Sequence, residues 1–118
     1  MKKPDAVAAL AALAQESRLD AFRLLVQAGP EGMPAGQVSE ALGISPNTLT
    51  FHFDRLREAG LVTVRRDGRS MIYSACYETM NDLLAYLTEN CCQGRAEQCA
   101  PSRAKAPKSS VRQKERVS

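Results

Sequence analysis

The sequence predicts a mainly α-helical, dimeric fold carrying one β-hairpin, and three observations predict it. Apolar residues recur at helical spacing through most of residues 4–90. The period changes once, to two, in short runs either side of Asp67-Gly68. Leu/Ala-rich stripes on the first and last helical segments exceed what one small core needs, which leaves apolar surface for a second copy.

Composition bounds the possibilities. A chain of 118 residues, 44% hydrophobic and 25% charged, has the size and balance of one globular domain. No apolar run approaches the roughly 18–20 residues that a membrane span requires, so no membrane partner is expected. The opening MKKPDAVAALAALAQ is weakly apolar, is interrupted by Asp5 and runs into Gln15 and Glu16, which argues against an export signal. A cytoplasmic protein with its cysteines as thiols is the expectation. The net charge of +3 is uneven: residues 100–118 carry six Lys/Arg against Glu115, leaving −2 on residues 1–99. That tail, rich in Pro, Ser and Lys, has too little to bury to order itself and reads as a mobile basic extension.

Each element has its own signal. Residues 4–15 start at Pro4, a first-turn residue, and place Val7, Leu10, Leu13 and Ala14 at apolar positions. Ser17 suits an N-cap for the next helix, which Leu19, Phe22, Leu24, Leu25 and Val26 make apolar over so much of its girth that it must be central. Gly29-Pro30 ends it. Pro34 suits the first turn of AGQVSEALG, with Val38, Ala41 and Leu42 facing inward and Gly43 as its stop. Only Ile44 separates Gly43 from Ser45-Pro46, an N-cap followed by proline. The helix so started, PNTLTFHFDRLREAG, puts Leu49, Phe53 and Leu56 on one face and closes at Gly60. Two short helices joined by a tight turn containing glycine make a helix-turn-helix. Next, a two-residue turn at Asp67-Gly68 pairs Arg66 with Arg69, Val64 with Met71 and Val62 with Tyr73. Residues 78–90 form the last helix, with Met80, Leu83, Leu84 and Leu87 on one stripe.

Helices, helix-turn-helix and hairpin in that order make a winged helix, whose second turn helix enters the DNA major groove. On that helix Asn47, Thr48, Phe51, His52 and Arg55 face away from the apolar stripe, with Thr50 at the border. Asn and Thr near a helix start can hydrogen-bond bases or phosphates, and Thr or Phe can pack on a thymine methyl. Arg65, Arg66 and Arg69 at the hairpin tip suit phosphates or the minor groove. A polar outer face and a solvated hairpin tip remain the plainer explanation of both features. Double-stranded operator DNA is the expected partner, and two-fold pairing would set two reading helices about 34 Å apart.

The stretches ESRLDAFRLLVQAG, SEALGISPNTLTFHFDRLREAGLV and RRDGRSMIYS resemble the ArsR/SmtB family of winged-helix metalloregulatory repressors over about residues 10 to 90. The resemblance implies a homodimer joined through its first and last helices, and it maps DNA-reading positions onto Ser45, Asn47, Thr48, Thr50, Phe51 and His52. The sequence departs from the family at Phe51, where many relatives carry histidine, and at Pro46, usually polar. Residues 1–92 thus read as the DNA-binding and dimerisation domain, and residues 93–118 as an extension.

ENCCQGRAEQCAP carries the remaining chemistry. Cys91, Cys92 and Cys99 are three soft ligands with no histidine beside them. Structural zinc usually takes four N/S ligands, whereas trivalent arsenic takes three pyramidal bonds to sulfur. The pair falls at the expected end of the last helix, with Gly94 placed to break it and the following loop able to fold Cys99 back. Similar family members with a C-terminal Cys-Cys pair and a third cysteine respond to arsenite and antimonite, which implies trivalent arsenic as the inducer, antimonite included. Residues 37–43 lack the Cys-x-Cys of other arsenic sensors, and residues 78–90 have Asp82 but no histidine for a zinc or cobalt site. Organic trivalent arsenicals, zinc, cadmium or lead on the same thiols, a redox switch, and a thiol carrier with no DNA role stay open as alternatives. Cys76 reads as a small buried hydrophobe. No glycine-rich anion loop surrounds any cysteine, so no enzyme activity is expected.

Overall fold

The computed structural model describes residues 1–94, and the mainly helical winged architecture is borne out. Met1–Leu87 forms one compact unit and a second begins at Thr88. The first unit runs α1 (Lys3–Leu13), α2 (Glu16–Ala28), β1 (Met33–Pro34), α3 (Ala35–Leu42), α4 (Pro46–Glu58), β2 (Val62–Asp67), β3 (Ser70–Ala75) and α5 (Tyr77–Leu87).

Central placement of α2 follows from its apolar girth: it packs on α1, α3, α4 and β3, with Ala21, Phe22 and Leu25 buried. Its cap differs from the expected one. Gln15, not Ser17, is the N-cap, and its side-chain oxygen accepts from the Arg18 N–H at 2.9 Å. The α1 face also differs. Its buried stripe is Ala6, Ala9 and Ala12, while Val7 and Leu10 stay 59% and 43% exposed. Small side chains let two helix axes approach closely, so the alanines take the inside and the larger residues are left outside. Ala41 of α3, expected inward, is exposed, whereas Val38 is fully buried.

Three strands, not two, make the sheet, in the order β1-β3-β2. Met33 pairs with Tyr73 and Pro34 with Ile72, so Pro34 serves as the extended N-cap of α3 as well as an edge-strand residue. Gly32 makes this possible. Its φ is +77°, and a Cβ there would overlap the Tyr73 carbonyl and Ser74 Oγ. Hairpin register is displaced by two residues from the expected one: Val64 faces Tyr73, Val62 faces Ala75 and Arg66 faces Met71. The loop is Gly68-Arg69, and among its residues only Gly68 has positive φ. Glycine alone at the first loop position is the pattern of a type II′ turn, whereas Asp67-Gly68 as the loop would need both residues left-handed. A shift of two preserves the faces, so Val62, Tyr73 and Ala75 still reach the core.

The last helix stops short of the expected residue 90. It ends at Leu87, because Thr88, Glu89 and Asn90 contribute no apolar side chain and Asn90 turns left-handed at φ 58°.

Candidate nucleic-acid interface and thiol pair

Two short helices and a three-residue turn hold the candidate reading surface. Gly43 closes α3 in the left-handed conformation, its N–H bonding to Glu40 and Ser39 carbonyls. Ser39 Oγ donates to the Ile44 carbonyl, which fixes the turn. Ser45 then caps α4, its Oγ accepting from the Thr48 N–H at 3.3 Å and donating to Thr48 Oγ1 at 3.0 Å. With Leu49, Phe53 and Leu56 buried, the orientation of α4 is set. Phe53 stacks on Tyr73 of β3, ring centroids 4.0 Å apart, and so ties the reading helix to the wing.

Asn47, Thr48, Thr50, Phe51 and Arg55 are all exposed, as is Ser45 at the cap. Thr50 Oγ1 donates to the Pro46 carbonyl at 3.0 Å, which leaves its lone pairs but not its proton for a ligand. The first turn of α4 carries no acid, so its N-terminal dipole stays available to phosphate. Two countercharges escaped the sequence reading. Glu58 approaches Arg55 at 3.6 Å and Asp54 approaches Arg57 at 3.6 Å, confining negative charge to the C-terminal half of α4. The i, i+3 spacing of each pair was the available signal.

His52 is the correction. It was expected on the outward face but is 8% exposed, and its Nδ1 is buried without a hydrogen-bond partner. Position 52 follows Leu49 by three and precedes Leu56 by four, which carries it to the edge of the buried stripe. Burial first, and the Arg18 charge second, hold its pKa below the usual histidine value. Arg18, which the sequence reading passed over, anchors that corner: its Nε donates to the Ala12 carbonyl at 2.7 Å.

On the wing, Arg65, Arg66 and Arg69 are exposed. Alternation along β2 sends Arg65 and Arg66 to opposite faces, and Arg69 sits in the loop, so arginine reaches both faces of the tip.

Cys91 and Cys92 lie in a short 3-10 turn, Cys91–Gly94, beyond α5 rather than on it. Their Sγ atoms are 3.5 Å apart and both residues are half-buried. Cys92 and Gln93 have φ of 54° and 55°, a left-handed stretch costly for non-glycine residues. Cys99 lies outside the described residues, as does the basic tail. Among the described residues no group of three or more His, Cys, Asp or Glu side chains forms a metal-holding cluster. Cys76 is half-buried and meets Thr79 Oγ1 at 3.3 Å.

A family model described as a helix-turn-helix domain matches residues 13–65. The chain is 40% identical over 73 residues to the uncharacterised HTH-type transcriptional regulator YceK of Bacillus subtilis (strain 168), covering 62% of this chain and 72% of that one. It is 40% identical over 63 residues to the putative arsenical resistance operon repressor ArsR of Halobacterium salinarum, covering 53% and 48% of the two chains. A solved structure from Mycobacterium bovis, described as a homodimeric winged helix-turn-helix DNA-binding domain and a possible ArsR-family regulator, shares the fold. It matches with a TM-score of 0.61 at 23% identity, over 90% of this chain and 89% of that one. No helix among the described residues is long and apolar enough to cross a membrane. With a capped reading helix, an arginine-tipped wing and these relatives, the chain belongs to the helix-turn-helix, DNA-binding transcriptional regulators, which are not enzymes.

Proposed function

We propose that this regulator is a homodimeric repressor of an arsenic-resistance operon, released from its operator when Cys91, Cys92 and Cys99 capture trivalent arsenic or antimony. The observation that carries the reading is the 3.5 Å separation of the Cys91 and Cys92 sulfurs. Two sulfurs each about 2.3 Å from one soft atom, at angles from about 95° to tetrahedral, lie roughly 3.4–3.8 Å apart. The pair is therefore spaced to share one ion, and Cys99 supplies the third sulfur. The name of the Halobacterium relative points the same way.

The dimer is inferred from exposed apolar side chains on two helices that pack on each other, Val7 and Leu10 of α1 with Leu84 and Leu87 of α5. The thiol pair begins four residues after Leu87, so a ligand that reorganises it pulls on the end of a dimer helix. A coupling of about 1–3 kcal/mol lowers operator affinity about 5- to 150-fold. Neutral arsenous acid exchanges its three hydroxyls for three thiols and releases three waters, whereas a divalent cadmium ion on the same thiols releases protons.

Fluorescence anisotropy of a labelled duplex from the gene's own upstream region tests this. Arsenite should weaken binding within that range, and Cys91→Ser should bind DNA normally but no longer respond. Unchanged affinity at saturating arsenite, or full response from Cys91→Ser, overturns the sensing mechanism.

A further inference from the structure

Phe51 is the anomaly of α4: a large apolar side chain 52% exposed at the centre of the outward face. One turn on, the Arg55 guanidinium carbon sits 4.9 Å over its ring centroid, a cation–π contact. The carboxylate of Glu58 approaches the same guanidinium at 3.6 Å. Arg55 is thus fixed in direction by a ring and an acid while half of its side chain stays in solvent. Fixing a flexible arginine before binding removes part of the ordering cost at the moment of contact.

We propose that Phe51 and Arg55 form one reading unit that selects a thymine and a guanine in neighbouring base pairs. This rests on the DNA-reading role of α4. Thymine's C5 methyl is the apolar group a major groove offers to an exposed ring, and the guanine O6/N7 edge is the double acceptor a guanidinium fork fits. The 4.9 Å offset of the two groups is nearer one base-pair rise, about 3.4 Å, than two. Asn47, one turn before Phe51, and Thr48 lie N-terminal to the unit and leave it the central position.

The test uses the full-length protein and duplexes selected from a random library. In the selected site each thymine is replaced by uracil, which removes only the methyl, and each guanine by 7-deazaguanine, which removes only the N7 acceptor. For the wild type, one thymine position per half-site should cost about 5-fold and the neighbouring guanine about 10-fold. Phe51→Ala should lose the methyl sensitivity, and Arg55→Ala the N7 sensitivity. Phe51→Leu should keep much of the methyl effect and lose much of the N7 effect, because the arginine has lost its ring. Sensitive positions that are not neighbours, or a Phe51→Ala protein that still distinguishes thymine from uracil, overturn the assignment. Failure to select any duplex would instead overturn the DNA reading beneath it. Both side chains are exposed, so these variants leave the core untouched.

Discussion

Replacing Leu10 by aspartate on α1 should separate the two protomers of the proposed dimer. Val7, Leu10, Leu84 and Leu87 are 59%, 43%, 52% and 55% exposed, so each keeps about half of its surface in water. Full burial of such a side chain is worth about 2 kcal/mol, so covering the rest yields about 1 kcal/mol each. Four of them give about 4 kcal/mol per protomer. A two-fold interface uses the same patch twice, which makes about 8 kcal/mol from this stripe to set against association entropy. Leu10→Asp removes about 2 kcal/mol of that per dimer, roughly 30-fold in dissociation constant. It also strips water from two carboxylates facing the same apolar patch, which costs several kcal/mol more. The dimer constant should therefore weaken at least about 1,000-fold. Sedimentation equilibrium reads the constant directly, with far-UV circular dichroism to show that the fold survives, since Leu10 is outside the core. Gln27→Asp, exposed on α2, serves as the control. A Leu10→Asp protein that sediments as tightly paired as the wild type refutes the assignment of this stripe.

Other predictions test separate links. Gly32→Ala should cost at least about 2 kcal/mol in urea unfolding, since alanine resists φ +77° and its Cβ meets Tyr73 and Ser74; Gly36→Ala, in open space within α3, should instead stabilise by about 0.5–1 kcal/mol. Ser45→Ala should cost about 1 kcal/mol through the lost cap and fray the start of α4, read by hydrogen exchange at residues 47–49. Burial holds the folded-state pKa of His52 below the usual histidine value of about 6.5, so the unfolded chain binds the proton more readily. Its contribution is fully present above about pH 6.5 and fades as pH falls toward the folded value. His52→Leu should remove that acid-side loss and remove a buried nitrogen without a partner, so thermal melts at pH 7 and pH 5 should differ less than for the wild type.

Much of this protein was legible in residues alone. Helix order, the Gly43 stop, the Ser45-Pro46 start and the exposed set at Asn47, Thr48, Phe51 and Arg55 all rest on interactions within one or two turns of chain, which spacing records directly. Tertiary packing decided the rest. In α1 an alanine stripe and a Val/Leu stripe are both apolar, and only the close approach of neighbouring helices sends Ala6, Ala9 and Ala12 inside. The hairpin register depended on one left-handed residue at Gly68, and β1 existed only because a distant strand was there to pair with Met33. His52 sat at the edge of a stripe, where a small rotation of the helix settles burial or exposure. Periodicity names the residues that share a face; which face is covered is set by partners far away in sequence.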